Sequence, residues 1–285
     1  MTAVVNDHSV ADSRDKPEND DRRAASSPNA LLLLMERAAI EAGWAIMKIY
    51  DAGFDVCLKE DGSPVTQADK TAEAIILAAL RAATPDIPIV AEEESSEGRA
   101  PTHPGHRFYL VDPLDGTREF ISRNGDFTVN IALIEHGAPV IGVVYAPARG
   151  LLFSGGPDGA REAIIADRLA TARRPIGIRD CPARMIAVAS RSHSTPETDD
   201  YLACLDIAER VSVGSSLKFC LLARGEADVY PRFGPTMEWD TAAGDAILRA
   251  AGGGTWTLDD CLLTYGKSGF ANPFFVARGA NPANR

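Results

Sequence analysis

Asp112 and Asp115 stand three residues apart in the run Asp112-Pro113-Leu114-Asp115-Gly116-Thr117, and acids spaced this way around a proline and a glycine can do metal chemistry. Phe108 to Val111 reads as a buried β-strand that stops at Asp112, because Pro113 cannot donate to a continuing ladder. Gly116-Thr117 then opens a short helix, so two carboxylates converge where backbone N–H groups have no partner. Such close acids repel each other, and burying them bare is costly unless one protonates or a cation neutralises both. Magnesium suits the pair, since it takes oxygen ligands at about 2.0–2.1 Å and binds through a few carboxylates together with substrate phosphate. The Gly116 and Thr117 amides would hold that phosphate. The plain alternative is a turn in which Asp caps a helix.

Further acids fall into comparable places. Ile87 to Ala91 reads as a buried strand running into Glu92-Glu93-Glu94. Three adjacent acids usually form a solvated loop, yet here they repeat the pattern at Asp112, a carboxylate at a strand's carboxyl end, where α/β folds build sites. Asp69 lies in capping-box spacing from Thr66 at the head of a helix over Ala68–Ala83. It reads either as a first-turn acid complementing the helix dipole or as a carboxylate aimed at a hydroxyl or a metal-bound water. Asp240, after Trp239, reads alone as an N-cap; as a fourth carboxylate it would close a two-metal site across a cleft.

Stepping outward, the positioning elements follow from periodicity. Residues 1–28 are polar, charged and poor in aromatics, and read as a disordered tail. Leu31–Tyr50 reads as a largely buried helix closed near Gly53, and Phe54–Gln67 as a hairpin around Asp61-Gly62-Ser63-Pro64. Phe127–Leu133 and Val140–Ala146 form an antiparallel hairpin with one face on the core; Leu151–Ser154 adds a strand, and 168–184 reads as a linker. From Met185 onward strand and helix alternate, with helices at about 196–204, 215–224 and 240–251, the last capped by Gly252-Gly253-Gly254. The expected division is a tail (1–28), an α+β half carrying most ligands (29–180) and an α/β half carrying Asp240 (181–285).

Composition narrows the classes. A chain of 285 residues, 45% apolar, supports a real core, and a formal charge of -11 with no basic face argues against nucleic acid as a partner. Five scattered cysteines without a C-x-x-C pair suit a reduced, cytoplasmic compartment. No apolar run is long enough to span a membrane and no signal segment is evident. The five histidines lack zinc spacing, Ser192-His193-Ser194 is not a nucleophile elbow, and no Walker lysine motif occurs.

The Asp112–Thr117 motif, preceded by the Glu92 cluster and followed by Trp239-Asp240-Thr241-Ala242-Ala243-Gly244, resembles the lithium-sensitive inositol monophosphatase superfamily of metal-dependent phosphatases over residues 30–277. Asp115-Gly116-Thr117-Arg118-Glu119-Phe120, Gly214-Ser215-Ser216-Leu217-Lys218-Phe219-Cys220 and Tyr230-Pro231-Arg232-Phe233-Gly234-Pro235-Thr236 resemble its CysQ branch, the 3′(2′),5′-bisphosphate nucleotidases. The resemblance implies a layered αβαβα sandwich of the sugar-phosphatase type, in the α+β or α/β class. It also implies two or three Mg2+ ions. Glu92, Asp112 and the Leu114 carbonyl would bind one, and Asp112, Asp115 and Asp240 the second, with Glu93 as the fallback for Glu92. Thr117, hydrogen-bonded to Asp69, would orient the attacking water, and substrate phosphate would lie among Glu92, Leu114, Asp115, Gly116, Thr117 and Asp240. Ser215 and Lys218 would face the nucleoside and 5′-phosphate.

The reaction so implied removes the 3′-phosphate of adenosine 3′,5′-bisphosphate, with its phosphosulfate relative as a second substrate, in sulfate assimilation. The partner is then a small-molecule nucleotide and the protein a monomer or homodimer, cytoplasmic or peripheral on the cytoplasmic face of the inner membrane. Inositol phosphates, fructose bisphosphate and the phosphate of NADP remain alternative substrates. A silent sensor that binds the bisphosphate is the alternative from another class.

Overall fold

Apolar residues alternate across β4 (Arg107–Asp115): Phe108 and Leu110 face one core cluster, Tyr109 and Val111 another, and all four are buried. A strand buried on both faces needs a layer on each side. In a computed structural model, which describes residues 27–59, 62, 64–190 and 195–279, those layers are helical. Strand β4 lies in a seven-stranded sheet with β3 (Ile89–Ala91), β5 (Thr128–Glu135), β6 (Ala138–Ala146), β7 (Leu151–Gly156), β8 (Gly159–Ala166) and β9 (Leu169–Ile176), in chain order across the sheet. The β3–β4 pair is parallel and the other pairs are antiparallel.

Helices α1 (Pro28–Ala52) and α2 (Gln67–Ala83) cover one face, packing Met35, Ile46, Ile76 and Leu80 against Tyr109, Val111 and Ile131. The other face carries α6 (Leu217–Ala223) and α7 (Glu238–Ala250). Outside them lies a five-stranded sheet, ordered β11 (Ile207–Val213), β10 (Met185–Ser190), β12 (Val229–Arg232), β14 (Phe275–Arg278), β13 (Gly254–Thr257). Leu202 of α5 (Pro196–Ala203) packs on its outer face against Val229, Phe233 and Val276. Helix, sheet, helix, sheet, helix is the expected αβαβα sandwich.

Two glycines set the seat of α7. A Cβ on Gly142 would lie 2.3 Å from the Ala243 oxygen, and one on Gly155 would lie 2.6 Å from the Ile247 Cα. The helix backbone therefore rests directly on β6 and β7, which brings its first turn, with Asp240, to the end of β4.

Several expectations need correction. Strand β4 does not stop at Asp112 but runs through Pro113 to Asp115, with a register shift between Asp112 and Asp115. Pro113 is tolerated because β3 ends opposite Val111, leaving that side of β4 without a strand to pair. Glu92-Glu93-Glu94 is the first turn of a short helix, α3 (Glu92–Ser96), in which Glu93 and Glu94 are buried. The β5–β6 hairpin is buried on both faces because α7 covers the side expected to meet solvent. Residues 169–176 of the expected linker form the edge strand β9, and β8 was not foreseen at all; Arg173, Arg174 and Pro175 are compatible with an edge because they blunt further pairing.

Asp240 is the third residue of α7, not its N-cap, and accepts from the Met237 N–H at 2.8 Å. Of the expected tail, Ser27 caps α1 and Pro28 begins it, while residues 1–26 lie outside the described residues, as do Asp61, Ser63 and Ser192-His193-Ser194. The hairpin β1 (Val56–Leu58) with β2 (Pro64–Thr66) forms as expected. Among the described residues, no helix is long and apolar enough to cross a membrane.

Candidate active site

One cleft of about 290 Å³ is lined by Glu92, Asp112, Leu114, Asp115, Gly116, Thr117 and Asp240, together with Ser215 and Lys218. Each arrives for a local reason. The register shift in β4 is held by Asp112 itself, whose Oδ1 accepts from the Leu114 N–H at 3.0 Å. Gly116 then takes φ +90°, a left-handed conformation that favours glycine, and starts α4 (Thr117–Ile121). Glu92 begins α3 as β3 ends, and the buried Glu73 carboxylate accepts from the N–H groups of Glu93 and Glu94 at 2.8 and 3.0 Å, fixing that helix start.

Asp69 fulfils both of its expected roles at once, one on each oxygen. Its Oδ2 accepts from the Thr66 N–H at 2.7 Å and the Thr66 hydroxyl at 2.8 Å, completing the capping box. Its Oδ1 accepts from the Thr117 hydroxyl at 3.1 Å, across the 48 residues that separate them. The same hydroxyl lies 3.3 Å from the Leu114 oxygen.

A model of the inositol monophosphatase family matches residues 29–278. The chain belongs to the inositol monophosphatase family. It is 47% identical over 240 residues, 83% of this chain and 95% of the relative, to the 3′(2′),5′-bisphosphate nucleotidase CysQ of Escherichia coli O157:H7. Among solved structures it resembles CysQ from Bacteroides thetaiotaomicron, a bacterial member of the inositol monophosphatase family, with a TM-score of 0.73 and 39% identity over 88% of this chain and 97% of that one. An inositol monophosphatase from Anabaena (Nostoc) sp. PCC 7120 matches at a TM-score of 0.70 and 26% identity, over 89% and 92% of the two chains.

In this inositol monophosphatase family member the cleft sets buried acids beside one another. Burial, then the neighbouring charges of Glu92, Asp115 and Asp240, hold the Asp112 carboxyl well above the ordinary carboxylate range. Burial and Asp115 push Asp240 up to about 8. Burial also raises Glu92 against the pull of Lys59, and raises Asp115 against Lys218 and hydrogen bonds from Asn130 and Ser216. Among the described residues no three Asp, Glu, His or Cys side chains already converge to cage an ion. Each carboxylate is engaged by a protein donor instead: Glu92 by Lys59 Nζ at 2.7 Å, Asp112 by Leu114 N–H, Asp115 by Asn130 and Asp240 by Met237 N–H. Four acids and one carbonyl, all oxygen donors, fit a hard divalent cation.

Lys59 and Arg232, both beside these acids, were not singled out in the sequence. Lys59 bridges Glu92 and Glu93 at 2.7 Å each, and only the folded hairpin brings it there. Arg232, in the noted Tyr230–Thr236 run, is buried at the cleft; its Nη2 donates to the Pro235 oxygen at 2.8 Å, and its Nε has no hydrogen-bond partner among the described residues. Its position at the carboxyl end of β12 was the available signal. Lys218 is buried and donates to the Ser215 and Val213 oxygens at 2.5 and 3.5 Å, which staples the turn before α6. Burial lowers its ammonium to about 8.

Proposed function

We propose that this chain is a magnesium-dependent 3′(2′),5′-bisphosphate nucleotidase that removes the 3′-phosphate of adenosine 3′,5′-bisphosphate. The observation that carries the reading is one cleft lined both by four carboxylates from distant parts of the chain and by Arg118, Lys218 and Arg232. A substrate with two phosphates suits it, one phosphate needing a cation to approach the acids and the other meeting basic side chains directly. Inositol monophosphate has no second phosphate for these basic side chains, and the identity to bisphosphate nucleotidases favours the same substrate.

Glu92, Asp112 and Asp115, with the Leu114 carbonyl and Asp240, would hold two Mg2+ ions. Bound there, the metal supplies Lewis-acid charge to the phosphoryl and leaving oxygens. A cation on Glu92 would compete with the Lys59 ammonium for the same carboxylate. The chain's own groups do the rest. The Thr117 hydroxyl donates to Asp69 Oδ1, so its lone pairs turn to the cleft and can accept from a water. As that water's oxygen bonds to phosphorus, its proton passes to Thr117 Oγ1 and the threonine's own proton to Asp69. The P–O3′ bond breaks, the 3′-oxygen takes a proton from solvent water, Asp69 returns the proton it received to solvent, and AMP and inorganic phosphate leave. The Gly116 and Thr117 amides, at the start of α4, steady the phosphoryl oxygens.

We place the protein in the cytoplasm, in sulfur assimilation, where a 3′-phosphorylated nucleotide by-product needs clearing; the phosphosulfate of the same nucleotide is the second substrate. The substrate reading is tested by phosphate release from adenosine 3′,5′-bisphosphate, inositol monophosphate, fructose bisphosphate and NADP under one set of conditions. The bisphosphate nucleotide should give the highest kcat/KM, and a higher value for inositol monophosphate contradicts the assignment.

The basic side chains make their own prediction. A charge-assisted hydrogen bond contributes about 1.5–3 kcal/mol, or roughly 10- to 150-fold. Arg232→Gln should therefore raise the KM for adenosine 3′,5′-bisphosphate by that order and leave adenosine 3′-monophosphate nearly unchanged. Lys218→Ala should act in the same direction. Equal effects on both substrates would remove these residues from 5′-phosphate recognition.

A further inference from the structure

Asn130 joins a carboxylate of this cleft to the turn before α6. It stands on β5 opposite Asp112 and is 1% exposed. Its Nδ2 donates to Asp115 Oδ2 at 3.1 Å and to Ser216 Oγ at 2.9 Å, while its Oδ1 accepts from the Thr128 hydroxyl at 2.9 Å. The Ser216 hydroxyl passes the chain on, donating to the main-chain oxygen of Asp240 at 2.7 Å. Thr128 and Ser216 are as deeply buried as Asn130. The amide can sit only one way round: turned over, its oxygen would face the Asp115 carboxylate, two acceptors with no proton between them.

We propose that Asn130 is a positioning residue that sets Asp115 and Asp240 relative to each other and ties the turn bearing Ser215 and Lys218 to them, so that metal affinity and substrate grip are fixed together. The proposal rests on the metal-dependent reading above. Asp115 lies at the end of β4 in the seven-stranded sheet, while Asp240 belongs to α7 on the far side of the cleft. An unrestrained carboxylate rotates about its last bond, and two ligands on separate elements drift unless a rigid group spans them. Asn130 holds one oxygen of Asp115, and through Ser216 it holds the backbone from which the Asp240 side chain springs. Buried and fully paired polar networks of this kind specify one arrangement.

The far end of the relay explains the link to substrate. Ser216 follows Ser215, whose φ of +49° is left-handed and disfavoured for a residue with a Cβ, and it precedes Leu217-Lys218 at the start of α6. The Asn130 and Asp240 bonds on either side of the Ser216 hydroxyl therefore hold the turn that presents Ser215 and Lys218 to the cleft.

The test is isothermal titration calorimetry with MgCl2 alone on the full chain, its Asn130→Ala variant and its Ser216→Ala variant, with melting temperatures recorded in EDTA. Groups that orient metal ligands typically change metal affinity by 10–100-fold when removed. Asn130→Ala should weaken Mg2+ binding by that factor, and Ser216→Ala by a smaller one. The double variant should lose less than the product of the two, because both changes cut the same relay. The KM for adenosine 3′,5′-bisphosphate at saturating Mg2+ should also rise more than that for adenosine 3′-monophosphate. A purely structural asparagine would lower the melting temperature and leave Mg2+ affinity in the folded protein unmoved. Affinity within twofold of the parent in Asn130→Ala overturns the proposal, and should that variant not fold, the same result in Ser216→Ala overturns it. A parent chain that takes up no Mg2+ points to failure of the metal-dependent reading instead.

Discussion

Asp112→Asn should lower kcat on adenosine 3′,5′-bisphosphate by more than about 10³-fold, beyond the ~10²–10³ that loss of a single transition-state hydrogen-bond donor costs, while the protein stays folded. Asp112 is the carboxylate the other three surround: Glu92, Asp115 and Asp240 all bear on its charge. Removing that charge takes away a ligand that both proposed ions share. The fold should survive because an asparagine Oδ1 can still accept the Leu114 N–H that holds the bulge in β4, and its amide can donate toward Glu92. In EDTA the variant should melt at the same temperature as the parent or higher, since one buried, repelled charge has gone. Residual activity above about a tenth of the parent at saturating Mg2+, with the bulge intact, would contradict the assignment of Asp112. Retained melting temperature with lost turnover is the combination to look for.

The metal-free protein should lose stability as the pH rises from about 4 to about 8, the reverse of ordinary acid denaturation. Burial first, and the neighbouring acids after it, raise Asp112, Glu92, Asp115 and Asp240 above their unfolded values, with Asp240 at about 8; burial lifts Glu73 to about 7. A carboxyl with a higher pKa in the folded state binds its proton more tightly there than in the unfolded chain. Stability from these groups is therefore complete below the unfolded carboxylate range and declines until the folded pKa is passed. Lys218, lowered by burial to about 8, acts oppositely, but only between about 8 and its unfolded value. Saturating Mg2+ should remove most of the decline, because the ion neutralises Glu92, Asp112, Asp115 and Asp240 and binds only the folded state, while Glu73, held by the Glu93 and Glu94 N–H groups, keeps its share. For a chain of this size, 1 kcal/mol corresponds to about 2–4 °C in Tm. Calorimetric melts at pH 5.5 and 8, in EDTA and in Mg2+, should show a lower Tm at pH 8 in EDTA and a much smaller drop in Mg2+. A Tm that rises with pH in EDTA would mean that these acids are not under mutual strain.

The parts of this site that could be read in advance are those where chemistry is written in consecutive residues. Asp112-Pro113 announces a strand end that the fold places three residues later, at Asp115, whereas the glycine-started helix announced by Asp115-Gly116-Thr117 stands. The Thr66–Asp69 box was legible for the same reason, and the long reach from Asp69 to Thr117 followed only from the family resemblance. What stayed hidden depends on register and on contacts between distant segments. Asn130 matters because β5 sets it opposite Asp112 and within reach of Ser216, 86 residues on, which no local pattern states. Lys59, just after β1, meets Glu92, 33 residues on, only in the folded chain. Strands β8 and β9 were missed because charges and a proline obscure their alternation at the edge of a sheet, where packing imposes little on sequence.

The most direct measurement is the release of inorganic phosphate and AMP from adenosine 3′,5′-bisphosphate by the purified chain, with Mg2+ present and again after chelation. Phosphate and AMP appearing in equal amounts with Mg2+, and neither appearing in EDTA until Mg2+ is restored, is the predicted result. Turnover that continues undiminished without the ion, or none at saturating Mg2+, would contradict the account.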